Sequence, residues 1–183
     1  MADSAVIAPT AFFKQTIDST TGDYHRQYLF QVILQAIPNT DNASMITYFV
    51  ASSQSPQETT GNIQVDWMNS QIKLGGRTLY TEWTVTVRDD ADSRAYKYFK
   101  AWRRLVYETS SGQSNIPKDY KFPVDLFLLN NRGEHNRGYK LLGAFPTVIG
   151  QATLDYSTEA IITFPITIQY DEFVPLGAGD PLV

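Results

Sequence analysis

Few side chains in this sequence are of the types that do chemistry, and their spacing matches few reactions. The two histidines, His25 and His135, lie in polar stretches beside Arg26 and Glu134, and neither His-x-x-x-His nor Gly-x-Ser-x-Gly occurs. Asp89, Asp90 and Asp92 crowd four positions but lack the glycine and distal glutamate of a calcium loop, so they fit helix capping better than metal binding. Asp155 and Glu159 stand four apart in a turn, with nothing beside them to raise a carboxyl pKa. Gly75-Gly76-Arg77 is the nearest approach to a phosphate cradle, yet no Lys-Ser/Thr follows and no helix opens there, so a hairpin turn is the better reading. Asn42-Ala43-Ser44 matches a glycosylation sequon, which has meaning only in a secretory pathway. Lys97 to Arg104 interleaves Lys, Arg, Tyr and Trp, a pattern that suits nucleic acid. It suits equally a helix whose aromatic face is core and whose basic residues are solvated or complement the C-terminal dipole, and that is the reading taken here. No catalytic, cofactor-binding or metal set emerges, no cofactor is expected, and enzymatic activity is not expected.

The totals bound the rest. A chain of 183 residues builds one domain with a real core. Eleven Tyr and ten Phe favour β-structure or interfaces over a helical bundle. Net charge −4 argues against a surface that wraps nucleic acid. The absence of cysteine excludes disulfides, thiolate zinc sites and cysteine nucleophiles. No apolar run is long enough to span a bilayer, and the first residues, with Asp3 and no basic region, do not read as a secretory signal, so a cytoplasm is the default compartment.

The elements that would position any site centre on Gly75 to Val106. From Leu79 to Val87 the residues Leu79, Thr81, Trp83, Val85 and Val87 alternate with Tyr80, Glu82, Thr84 and Thr86, which predicts a half-buried strand. The acids at 89–92 break it and open a helix over 91–107, with Ala91, Ala95, Phe99, Trp102 and Val106 on its apolar face. Further strands are predicted over 28–37, 46–51, 61–74, 121–129, 139–145 and 160–170, with Pro165 at an edge or bulge. The stretch from Ser52 to Gly75, turned by Gly75-Gly76, reads as a hairpin reaching beyond the core. Residues 1–26 form an arm on the chain's own domain or on a neighbour, Pro146–Gly150 a tight connection, and the tail from about 174 a mobile or docked segment. The fold expected is mainly β: two packed antiparallel sheets in a sandwich or barrel, one flanking helix near 91–107, and an extended β-hairpin.

In this order the residues resemble the tail tube proteins of contractile-tailed bacteriophages. The resemblance covers roughly Tyr28 to Phe173: YLFQVIL at 28–34, VDWMNSQIKLGGRTLYTEWTVTV at 65–87, the Asp-Asp corner and helix, and LLGAFPTVIGQATLDYSTEAIITFPITIQYDEF at 141–173. Gly-Arg-x-x-x-x-x-Trp-x-Val-x-Val from Gly76 and Pro-x-x-Ile-Gly-x-x-x-Leu-Asp-Tyr from Pro146 carry most of it.

The resemblance implies a single tail-tube domain over 1–183. It further implies six-membered rings whose inner sheets join into one barrel, stacked as a hollow tube inside a contractile sheath. That tube would pierce the host envelope and conduct DNA without binding it specifically. Implied partners are further copies of the chain, the sheath protein, a baseplate tube initiator and a tail terminator, with no membrane insertion of its own. The implied location is the virion, assembled in the host cytoplasm. Six copies would carry about −24 per ring, and an acidic bore repels phosphate. Candidate lumen-facing residues are Glu82, Thr84, Thr163, Thr167 and Gln169, which alternatively face outer solvent. Glu58, Ile63, Val65 and Trp67 are candidates for contact with the next subunit; the alternative places the three apolar ones in the protomer's own core. A type VI secretion or R-type bacteriocin tube, and a monomeric β-sandwich binding module, are the alternative functions.

Overall fold

The computed structural model describes residues 25–35, 37–38, 43–157 and 159–177. The expected arm before His25 and the tail beyond Gly177 therefore lie outside the described residues, as does the asparagine of the sequon. In chain order the elements are β1 (Phe30–Leu34), α1 (Ala43–Phe49), β2 (Val50–Ser53), β3 (Glu58–Trp67), β4 (Ser70–Tyr80), β5 (Trp83–Arg88), α2 (Arg94–Val106), β6 (Tyr107–Glu108) and β7 (Gln113–Ser114). There follow α3 (Pro117–Tyr120), β8 (Phe122–Leu129), β9 (His135–Ile149), β10 (Thr163–Gln169) and β11 (Glu172–Gly177).

Two antiparallel layers share one strand. The first half of β9 pairs with β8 on one side and β11 on the other, and β1 adds to β8. Its second half pairs with β10, which continues to β5 and β2. Gly143, at φ 65°, stands at the handover, where a side chain would run into the Asp171 carboxylate. Asp171 in turn pairs with Lys121 Nζ at 2.7 Å.

Between the layers, period-two alternation decides what is buried. Trp83, Val85 and Val87 of β5 face Phe164, Ile166 and Ile168 of β10, with Val32, Leu34, Val124, Leu126 and Leu141 completing the core from the other layer. Helix α2 contributes Ala95, Tyr98, Phe99 and Trp102, a stripe at helical spacing. The three most deeply buried aromatics with a polar tip each find a carbonyl: Trp83 Nε1 donates to Gln54 O, Tyr98 Oη to Gln35 O and Trp102 Nε1 to Tyr120 O, at 2.6 to 2.8 Å. Burial pushes the Tyr98 hydroxyl pKa well above its ordinary value.

Several expectations are corrected. Residues 46–49 are helix, because Ile46, Phe49 and Val50 follow an i, i+3, i+4 spacing that buries Ile46 completely. Gly75-Gly76 is no turn: both lie within β4, where a Cβ on Gly76 would meet the Gly61 carbonyl at 3.0 Å across a register shift. Gly76 and Arg77 thus form a bulge opposite Gly61, with backbone packed on backbone, while Gly75 keeps its pairing with Asn62. The turn is Met68-Asn69, with Met68 at φ 51°. Leu79 therefore belongs to the ribbon and is exposed, separated by Thr81-Glu82 from the buried run that begins at Trp83.

Helix α2 starts at Arg94, so Ala91 lies outside it and is exposed. Ser93 sits at φ 52° without a side-chain cap, and Asp90 does that work from further back, accepting from Arg94 N at 2.7 Å. That hydrogen bond, aided by the Arg94 guanidinium, holds the Asp90 carboxyl below the usual range. Residues 146–149 continue β9 instead of ending it, and β11 turns the start of the expected tail into a strand, with Pro175 opposite Tyr139. Pro165 occupies the internal strand β10, but where the β9 ladder begins, and its carbonyl accepts from Gly150 N at 2.7 Å.

Candidate functional site

Two surfaces stand out because the chain itself leaves them uncovered. The first is the β3–β4 ribbon. Its register places Ile63 opposite Leu74 and Val65 opposite Ile72, with Trp67 beside them at the tip. Directly paired residues share a face, so these five apolar side chains form one continuous stripe. The other face is polar, and Gln64 and Gln71 both donate to Asp66 Oδ1. All five apolar side chains are exposed, and Met68 projects beyond them. Among the described residues, the expected alternative of protomer core does not hold for Ile63, Val65 and Trp67. Glu58 is exposed at the base of the ribbon, opposite Tyr80, whose ring packs with Tyr170 and Phe173.

Ile72 and Leu74 were not singled out from the sequence. The alternation Ile72-Lys73-Leu74 carries their signal, but reading the diglycine as the turn put both on the same strand as Ile63.

The second surface is the outer face of the β2–β5–β10–β9 layer. Thr84 lies opposite Thr167, which lies opposite Val148; Thr86 lies between Ser52 and Pro165. Thr163 is across from Arg88, and Gln169 extends the same row. Glu82 is exposed in the link between β4 and β5. The face is made mostly of short uncharged side chains and is open to solvent.

The residues with chemical potential are dispersed. His135 stacks on Phe127 with centroids 4.1 Å apart, and its Nε2 donates to Gln31 Oε1 at 3.2 Å. Asn136 Nδ2 donates to His25 Nε2 at 3.0 Å. Asp155 Oδ1 accepts from Ser157 N and Oγ, an Asx turn. Asp89 Oδ1 and Asp125 Oδ1 are buried without a hydrogen-bond partner among the described residues. Desolvation raises the Asp125 carboxyl pKa, opposed by Lys140 across the strand pair. Among the described residues no three His, Asp or Glu side chains gather as a metal site, and no helix is long and apolar enough to cross a membrane.

The sequence model of a family described as phage tail tube protein matches residues 11–175. The chain belongs to that family. It is a structural subunit of a phage tail tube and so a component of the virion tail. The tail tube protein gp19 of Enterobacteria phage T4 is 27% identical over 158 residues, covering 82% of this chain and 91% of the relative. In fold the tail tube subunit is similar to the PVC sheath/tube terminator of an extracellular contractile injection system, with a TM-score of 0.65 and 17% identity. That match covers 86% of this chain and all of the other. The tube-terminating cap of the anti-feeding prophage is also similar, at a TM-score of 0.63 and 19% identity, covering 89% and 98% of the two chains.

Proposed function

We propose that this tail tube subunit assembles as six-membered rings that stack into a hollow tube, with the β3–β4 ribbon as the contact between neighbouring subunits. One observation carries this reading: a projecting ribbon with a continuous apolar face that its own domain does not cover. A two-stranded ribbon is marginal alone, and an exposed apolar stripe of this length needs a partner. A repeating structural subunit supplies one in the next copy, through Ile63, Val65 and Trp67, with Glu58 at the rim.

The outer face of β5 and β10 then lines the bore, through Thr84, Thr163, Thr167 and Gln169, with Glu82 at its margin. What supports this is its chemistry: short uncharged groups give passing DNA no anchor, and a negative net charge disfavours binding. The sheath protein, a baseplate initiator and a tail terminator are the proposed partners, and the host cytoplasm the place of assembly. The role is structural, not catalytic.

Negative-stain electron microscopy of the purified protein over a concentration series, with and without baseplates, tests the reading. Six-fold rings or hollow tubes are the expected outcome. Compact single particles at every concentration, even on baseplates, would refute it.

A further inference from the structure

Helix α2 carries a concentration of charge that the tube reading does not use. Its 13 residues contain five of the chain's 15 Lys and Arg and no acid. Against a chain total of −4, those five positive charges leave −9 for everything else. The aromatic face of the helix is buried, so Lys97, Lys100, Arg103 and Arg104 all project from the opposite side and are exposed. Lys97 Nζ donates to the Asp92 carbonyl, and Lys100 Nζ lies 5.3 Å above the Tyr96 ring. Neither contact neutralises a charge. Among the described residues, no carboxylate lies within 4 Å of any of these four cations.

We propose that this face of α2 is a docking surface for a short acidic segment of a partner protein; it rests on the tube reading, which makes the sheath that partner. The length of the patch selects the class of ligand. Lys97 to Arg104 spans about 10 Å along the helix. Asp92 and Glu108 bound it at either end. A few acidic residues fit within those limits, whereas a long polyanion such as DNA would overlie the negative remainder of the chain and be repelled. The Tyr96 ring and Ile149 add apolar surface on which such a segment can rest, in a cleft lined also by Lys100, Arg103 and Arg104, with Glu108 the one carboxylate at its margin.

The test compares wild type with Arg103→Glu/Arg104→Glu and with Arg103→Lys/Arg104→Lys. Binding of the purified sheath protein is measured both to soluble chains and to tubes grown from baseplates. The expected result is that the glutamate variant keeps its circular dichroism spectrum and forms tubes, yet binds sheath about tenfold more weakly. The lysine variant binds nearly as wild type, and wild-type binding weakens as salt is raised. Unchanged sheath binding by the glutamate variant would overturn the proposal. So would a folded glutamate variant that no longer forms tubes, since the face would then be a contact between copies, or wild-type tubes that bind a 20-base-pair duplex as tightly as sheath. Wild-type chains that bind sheath through these arginines but never form tubes would overturn the tube reading and leave the surface standing.

Discussion

Replacing Trp67 by alanine separates the ribbon's role in assembly from any role in the protomer. Trp67 is 68% exposed, and its partners on the stripe, Ile63, Val65, Ile72 and Leu74, are between 42% and 55% exposed. Covering the free part of Trp67 removes roughly 170 Å² of apolar surface, worth about 4 kcal/mol at about 25 cal/mol per Å². Truncating a central aromatic anchor commonly costs about 2 kcal/mol or more, because part of the transfer energy is offset by ordering. Two kcal/mol at one contact corresponds to about a thirtyfold change in an association constant. The critical concentration for tube growth, measured by sedimentation in the presence of baseplates, should therefore rise about thirtyfold, while the Tm of the unassembled protein moves by no more than about 1 °C. Growth at the wild-type critical concentration would refute the reasoning by showing that the stripe is not a contact. A Tm fall of several degrees would refute it differently, placing Trp67 in the protomer's own packing.

Other expectations follow from single sites. Ile166 is fully buried between the layers, so Ile166→Ala should cost about 2–5 kcal/mol, read by urea denaturation. Gly143→Ala forces a side chain onto a positive φ and against Asp171, at about 1–3 kcal/mol, lowering Tm by about 3–10 °C in calorimetry. The raised carboxyl pKa of Asp125 means that the folded state favours its protonated form. Stability from this group is complete below the unfolded pKa and is lost as pH rises through the folded value. Asp125→Asn should remove that loss and raise Tm at pH 7 by no more than about 2 °C, with no gain at pH 3. If the outer face of β5 and β10 lines the bore as proposed, Thr84→Arg with Thr167→Arg, a directly paired couple, should leave tube length unchanged while slowing DNA release in an ejection assay, because cations would then face the phosphates.

The core was legible because its physics is local. Trp83-Thr-Val85-Thr-Val87 and Phe164-Pro-Ile166-Thr-Ile168 announce strands with one apolar face, and both faces are buried. The same signal misleads at the ribbon. Ile63-Gln-Val65-Asp-Trp67 alternates no less cleanly than the β5 run, yet Val65 stays 42% exposed where Val85 is 1%. Periodicity says that a face wants cover; it does not say whose. The turn was hidden for a related reason: composition rules look to glycine for positive φ, and here Met68 adopts it while Gly76 serves a bulge. At α1, seven residues were too few for one period to exclude the other. The extension of β9 past Pro146 depends on a register shift opposite Thr167 and Ile168, a property of the pairing and not of either strand alone.

The division between buried core and open ribbon also sets an order of events. The two layers and α2 bury Trp83, Tyr98, Phe99 and Trp102 almost completely and satisfy the polar tips of Trp83, Tyr98 and Trp102 from within the chain, so the protomer's stability does not wait on a neighbour. The ribbon has no such support: along β3 and β4 its hydrogen bonds run mainly between the two strands, and its apolar face meets solvent. Ordering each of its residues costs conformational entropy that a lone two-stranded ribbon recovers poorly. In the proposed assembly, docking on a neighbour recovers it in one step, so the first contact between copies would be disfavoured relative to addition onto an existing ring whose receiving surface is already formed. Growth of this kind has a lag and a critical concentration, and a preformed template abolishes the lag. Hydrogen exchange should therefore show fast exchange over residues 58–80 in the unassembled protein, and strong protection of the same residues in tubes, with little change at residues 83–88 and 163–169 in either state.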